Sequence, residues 1–161
     1  MPSISEAERF DFAFDRRLQR PLSLMGVRPS TAYALITASR LVVRFGPWTI
    51  RTPLENITGA EVTGPYATWK VAGVRVSWAD RGLTLGTSAE QGVCIRFHRP
   101  IRGVDPTGLL RHPGLTLTLA DSPAAARRLE EIASALHRAE NTGGRTAGRG
   151  RSRTGRAHAS R

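Results

Sequence analysis

The sequence predicts a mainly β protein, a β roll or partly open barrel, followed by one C-terminal amphipathic α-helix. Most of the chain alternates apolar and polar residues with a period of two, the pattern of strands that are buried on one face. The pattern changes to a helical period only after residue 121. The length of 161 residues suits a single domain with one core.

The first strand is predicted at RFDFAFD, residues 9–15, where three phenylalanines alternate with polar or small residues. This alternation places the three rings on one face. Residues 16–30, RRLQRPLSLMGVRPS, follow as a long connection that holds four arginines and several apolar side chains. The apolar content predicts that this connection packs on the barrel or on a partner.

A first hairpin is predicted in RLVVRFGPWTIRT, with Gly46-Pro47 as its two-residue loop. This loop places Phe45 opposite Trp48. Two residues further along, Val43 lies opposite Ile50, so that apolar side chains share one face. Glycine at the first loop position is typical of a type II′ turn, and a cis Pro47 is the competing possibility.

A second hairpin is predicted with residues 79–82 as its loop, which places Trp78 opposite Leu83 and Val76 opposite Leu85. Alternation continues in GVCIRFH and in GLTLTLAD, and weaker candidates are ENITGAEVTG and TAYALITAS. Together these segments predict eight or nine short strands.

The C-terminal helix is predicted at about 122–140. Ser122 is the predicted N-cap, Pro123 the first helical residue, and Gly143-Gly144 the end. An amphipathic stripe that would pack on a sheet consists of Leu129, Ile132, Ala133 and Leu136. The sequence therefore predicts one domain over residues 1–140.

Residues 141–161 differ from the rest in composition, because they contain six arginines, five glycines and no acidic residue. Such a segment cannot bury enough apolar surface to offset the entropy of ordering, and we expect a disordered basic tail. Residues 1–140 carry 18 bases and 13 acids, so the tail supplies about half of the net charge of +11.

No catalytic residue, metal or cofactor is predicted. Cys94 and His98 share a strand face but lie about 13 Å apart, too far to exchange a proton. His112 or His137 is the alternative partner, but a free cysteine on a sheet more often serves packing. Four histidines and one cysteine show no metal-ligand spacing. GLTLGTS lacks the spacing of a nucleotide-binding loop.

The densest basic stretch outside the tail is RFHRPIRGVDPTGLLRHPG, residues 96–114, with four arginines and two histidines against one acid. Guanidinium groups suit the oxygens of a phosphate or of an acidic lipid head group. The candidate anion-binding residues are Arg99, Arg102, Arg111 and His112. The alternative is that these side chains spread into solvent.

Two segments resemble the pleckstrin-homology-like domains, including the small PH-like domains of bacteria. LITASRLVVRFGPWTIRTPLENI is similar to their hairpin and the corner after it, and LTLTLADSPAAARRLEEI to their last strand and capping helix. EVTGPY, GVCIRF and HPGLTLTLAD also resemble an uncharacterised actinobacterial protein family. The resemblance covers about residues 8–138.

This resemblance implies a roll with a capping helix and a non-catalytic module, since PH-like domains bind phosphoinositides in some members and peptides or proteins in others. The sequence departs from the lipid-binding pattern, because no lysine-rich loop joins its first two strands.

We expect a cytoplasmic location, with the membrane surface as the alternative. The single cysteine cannot form an intrachain disulfide, the first residues lack a signal peptide, and no apolar stretch reaches the ~18–20 residues of a membrane span.

Three classes of function are open. The favoured one is a non-catalytic binding or scaffold module that recognises a protein partner or an anionic surface. The alternative is nucleic-acid association through the basic tail, without sequence specificity because the tail has no aromatic residue. The third is a small-molecule carrier or enzyme that uses the barrel interior, for which the sequence shows no paired carboxylates or catalytic triad.

Overall fold

The computed structural model describes residues 7–67, 72–77, 79 and 81–148. Nine strands lie in this part of the chain: β1 Glu8–Asp11, β2 Ala32–Ile36, β3 Arg40–Phe45, β4 Trp48–Pro53, β5 Ile57–Thr63, β6 Gly73–Val76, β7 Leu83–Gly86, β8 Gly92–Arg102 and β9 Arg111–Leu117. The helices are α1 Arg16–Leu24 and α2 Ser122–Gly148, with a 3-10 turn at Leu54–Asn56. The predicted mainly β fold with a C-terminal helix is confirmed.

The strands form two sheets. The first is an antiparallel meander in the order β1-β2-β3-β4. The second has the order β5-β8-β9-β7-β6 and is antiparallel except for the parallel pair β7 and β9. A bridge between Phe12 and Leu119, just beyond β1 and β9, joins the two sheets and leaves a partly open barrel whose second sheet carries α2.

The core lies between the inner faces of the two sheets. Phe10 and Phe12 are buried, and Phe14 packs against the core as a partly buried side chain. The alternation predicted for β8 holds, because its buried residues Val93, Ile95 and Phe97 are separated by more exposed ones. Burial of these apolar faces is the main force that holds the sheets together.

The hairpin of β3 and β4 has the predicted register, with Phe45 opposite Trp48 and Val43 opposite Ile50. Gly46 has φ +59°, which a type II′ turn requires at this position. Among the described residues the cis peptide bond lies at Gly64-Pro65, so the bond before Pro47 is trans.

The register predicted for the second hairpin is wrong by two residues. Val76 lies opposite Leu83, and Val74 lies opposite Leu85. A shift of two keeps every apolar side chain on the same face, so alternation alone cannot distinguish the two registers. The actual loop spans 77–82 and is closed by a hydrogen bond from Ser77 N to Gly82 O (2.8 Å). Trp78 lies outside the described residues.

The connection predicted at 16–30 contains the helix α1. Asp15 caps it, because its carboxylate accepts a hydrogen bond from Arg17 N (2.9 Å). Leu18 and Leu22 are spaced by four residues and pack towards the core, with Leu22 fully buried. Pro21 lies inside this helix, although proline in a sequence usually indicates a loop. Here it removes only one backbone hydrogen bond of a short helix.

α2 begins at Ser122, one residue before the predicted first helical residue Pro123, and Asp121 rather than Ser122 is the capping residue. Its Oδ1 accepts a hydrogen bond from Ala124 N (2.9 Å), whereas the Ser122 hydroxyl donates to Leu119 O (2.9 Å). The helix continues through Gly143-Gly144 to Gly148, because a glycine lowers helix stability by only ~1 kcal/mol and does not by itself end a helix. Residues 141–148 of the predicted disordered tail are therefore helical, and residues 149–161 lie outside the described residues. Neither described helix is long and apolar enough to cross a membrane.

Candidate functional site

The basic segment at 96–114 forms the hairpin of β8 and β9, with the loop 103–110 at its tip. Arg102 and Arg111 are direct neighbours across the two strands, and both are exposed. We call them the arginine pair. Like charges that face each other across two strands destabilise a hairpin, so a bound anion between the two guanidinium groups would relieve the repulsion.

The Arg102 side chain lies along the loop. A Cβ atom added to Gly108 would come within 3.6–3.7 Å of Arg102 Cδ, Nε and Cζ. Gly108 has φ +65°, a conformation that L side chains rarely adopt. Glycine therefore allows the loop to turn back over the arginine.

Asp105 gives the loop a defined shape. Its Oδ2 accepts hydrogen bonds from Thr107 Oγ1 (2.6 Å), Leu109 N (2.9 Å) and Leu110 N (3.4 Å). The hydrogen bond from Thr107, together with those from the two amides, holds the pKa of Asp105 below its ordinary value against the opposing effect of desolvation. The carboxylate is therefore ionised at neutral pH and fixes the backbone of the loop tip.

That tip presents two leucines to solvent. Leu109 is 80% exposed and Leu110 is 47% exposed. Adjacent exposed leucines on a structured loop are unusual, because apolar side chains that stay in water contribute no burial free energy to folding. We call them the leucine tip, and the arginine pair lies at its base.

Arg99 lies nearby on β8, in a part where the pairing with β9 is irregular. The Asn56 side chain holds its backbone, accepting from Arg99 N (2.8 Å) and donating to Arg99 O (2.9 Å). The Arg99 side chain is exposed. Arg99 and Arg102 are three positions apart, about 10 Å along a strand, so the two arginines suit neighbouring anions better than one shared anion.

The structure does not bring His112 to this group. His112 is 2% exposed, and its Nδ1 lies 2.7 Å from Arg81 O in the loop between β6 and β7. The pairing of β8 and β9 shifts between Arg96 and Ile101, and this irregularity turns His112 inwards, opposite buried Ile101. The candidate anion site therefore comprises the three arginines without His112.

Cys94 is half-buried on the outer face of the second sheet, opposite Glu61 and Thr116. His112 faces the core and cannot reach it. The pKa of the nearby Tyr66 phenol is raised above its ordinary value. Burial is the main cause and the Cys94 thiol adds to it, whereas the hydrogen bond with Thr63 lowers this pKa. Across the described part of the chain, no cluster of His, Cys, Asp or Glu side chains is placed to hold a metal ion.

Sequence reasoning identified the arginines of this loop but missed the leucine tip. The signal was present, because two adjacent leucines follow Pro106-Thr107-Gly108 in the middle of a basic segment. Turns consist mostly of polar residues, glycine and proline. Two adjacent leucines at a turn therefore indicate apolar side chains that are not buried in the core.

Comparisons of the chain with protein-family models, with curated proteins and with solved structures give no match.

Proposed function

We propose that this protein is a non-catalytic, PH-like binding module that recognises anionic lipid surfaces through the loop between β8 and β9. The leucine tip enters the outer part of the bilayer, and Arg99 with the arginine pair contacts the lipid phosphates. The location that follows is the inner surface of a membrane, reached from the cytoplasm. Two sheets followed by a C-terminal helix support the PH-like assignment.

The observation that carries the proposal is an exposed leucine pair in the loop that directly adjoins an arginine pair. A free phosphate or a nucleic acid would satisfy the arginines but leave the leucines in water. A lipid surface satisfies both, because its phosphates lie directly above an apolar layer.

The magnitudes favour reversible binding. Full burial of a leucine contributes about 1.5–3 kcal/mol, and Leu110 is already half covered. Each arginine near an anionic surface adds about 1 kcal/mol. Neither group alone is sufficient, so binding requires both the leucine tip and the arginines.

Co-sedimentation with vesicles tests the proposal. The full chain is mixed with vesicles of phosphatidylcholine alone or with added phosphatidylserine. We expect binding only to the anionic vesicles, and its loss in Leu109→Ser/Leu110→Ser and in Arg102→Gln/Arg111→Gln.

Matched controls separate the loop from general surface effects. Leu24→Ser removes a leucine that is 90% exposed on α1, and Arg127→Gln removes an exposed charge on α2. α1 lies at the other end of the second sheet, because Asp15 N bonds Thr87 O just beyond β7. Equal loss of binding in the controls and the loop variants would overturn the proposal.

A further inference from the structure

Residues 16–54 contain seven arginines and no acidic residue. All seven side chains are exposed: Arg16, Arg17, Arg20, Arg28, Arg40, Arg44 and Arg51. Within the described ranges, none of them forms an ion pair with a carboxylate, whereas Arg9, Arg96 and Arg128 do. Among the residues that the structure describes, no carboxylate neutralises the positive charge of this segment.

Three of these arginines share the outer face of the first sheet. Along β3, the exposed Arg40 and Arg44 point away from the buried Leu41 and Val43. Arg51 on β4 lies opposite Val42 on β3. Arg44 faces Thr49 and Arg40 faces Pro53, so Arg51 is diagonal to both. Diagonal neighbours on a sheet lie about 7–8 Å apart, within reach of long side chains.

The same face has an apolar centre. Leu35 lies opposite Val42, and Tyr33 lies opposite Arg44. All three side chains are half-buried. On the β1 side the face ends at the ion pair of Arg9 with Asp11, and the Arg9 guanidinium lies 4.2 Å from the centre of the Tyr33 ring. In the described part of the chain, α2 packs on the second sheet and the 3-10 turn. We define the arginine face as Tyr33, Leu35 and Val42 with Arg40, Arg44 and Arg51.

We propose that the arginine face docks an acidic segment of a partner protein. Carboxylates of the partner pair with Arg40, Arg44 and Arg51, and its apolar side chains cover the centre of the face. The occupant follows from charge complementarity, because three unpaired guanidinium groups repel one another and each offers a planar fork that matches a carboxylate.

The shape of the face favours a protein over a membrane. Its apolar residues are half-buried on a sheet surface beside exposed arginines, whereas the leucines of the leucine tip are exposed. Tyrosine and arginine are among the side chains enriched at the centres of protein interfaces. The site is independent of the proposed lipid site, since it lies on the other sheet.

Fluorescence anisotropy with a designed probe tests the proposal. The probe is a fluorescein-labelled amphipathic helical peptide of leucine and glutamate, and its control has glutamine at every glutamate. We expect the full chain to bind the glutamate peptide at least about tenfold more tightly than the glutamine peptide. Arg44→Gln/Arg51→Gln should weaken glutamate-peptide binding by about tenfold, since two exposed ion pairs are lost.

Two controls keep the result specific. Arg127→Gln/Arg138→Gln changes the net charge equally on exposed residues of α2 and should bind as the parent does. Arg102→Gln/Arg111→Gln, which tests the lipid site, should also retain peptide binding, so failure of one proposal is distinguishable from failure of the other. Amide shifts on binding should map to β2, β3 and β4.

Three outcomes would overturn the proposal. The first is equal weakening by the α2 variant, which would mean attraction by net charge alone. The second is amide shifts confined to the loop 103–110. The third is that phosphatidylserine vesicles displace the peptide when it is bound to the Arg102→Gln/Arg111→Gln variant. This result would mean that the arginine face binds lipid.

Discussion

His112 follows Arg111 directly in the sequence, yet the two side chains serve different purposes. Alternation counted back from buried Leu115 predicts an outward His112 and an inward Arg111. The irregular pairing of β8 and β9 reverses this, so Arg111 is exposed and His112 is buried against Arg81 O. Such an irregularity depends on the partner strand and cannot be read from one segment of sequence.

His112→Ala should destabilise the fold by about 2–4 kcal/mol, because it leaves a cavity and an unpaired carbonyl at Arg81. Arg111→Ala, on an exposed side chain, should change stability by only ~0.5 kcal/mol. Urea denaturation followed by circular dichroism measures both. A parent-like midpoint for His112→Ala would show that this histidine does not hold β9 to the loop between β6 and β7.

Asp105→Ala should loosen the loop tip without unfolding the protein, since it removes the acceptor shared by Leu109 N and Leu110 N. Because the folded pKa is lowered, this stabilisation is present at neutral pH. It is lost only as the pH falls below the ordinary ~3.9 and through the folded value. Amide hydrogen exchange at Leu109 and Leu110 measures the effect. Unchanged protection in Asp105→Ala would contradict it.

Elements differ in how far local sequence determines them. The β3–β4 register is predictable because a Gly-Pro loop fixes the turn length, and with it every pair along the strands. No comparable turn fixes the β6–β7 register, and the shift of two residues leaves the alternation unchanged. α1 was not predicted, since Pro21 conceals the helical spacing of Leu18 and Leu22.

Gly46→Ala tests the β3–β4 turn as an element. The new Cβ would lie 2.8 Å from Val27 Cγ2 and 3.0 Å from the Gly26 backbone, at a φ of +59°. We expect destabilisation of at least about 1–2 kcal/mol. Gly143→Ala is the matched control, because a Cβ there meets nothing within 4 Å and alanine favours a helix by ~1 kcal/mol. The melting temperature should fall in Gly46→Ala and rise in Gly143→Ala. Equal shifts in the two variants would contradict the turn geometry.

At the scale of the whole molecule, the fold class followed from the sequence, because strand alternation and the change of period at residue 121 are properties of the chain itself. The proposed binding surfaces followed only in part, because the sequence indicated Arg99, Arg102 and Arg111 but neither the leucine tip nor the arginine face. They depend on which exposed residues become neighbours: Arg102 with Arg111 across a hairpin, and Arg51 with Arg40 and Arg44 across a sheet. Cross-strand pairing creates both surfaces, and no linear motif encodes it.

Deletion of residues 149–161 tests the alternative of nucleic-acid association. The deletion removes five arginines. If each contacts one phosphate, the slope of log K against log salt concentration should fall in magnitude by about 4, at ~0.7–0.9 per contact. The melting temperature should not change. A salt dependence that survives the deletion would place nucleic-acid binding on residues 1–148.

The most direct test of the proposed membrane function measures the depth of the leucine tip in a bilayer. A nitroxide is attached to Leu109→Cys in a Cys94→Ser background, with Leu136→Cys on α2 as the reference site. With phosphatidylserine vesicles, we expect the label at 109 to become accessible to oxygen and shielded from a water-soluble nickel complex, while the label at 136 stays in water. A label at 109 that stays in water on the bound protein would contradict the account.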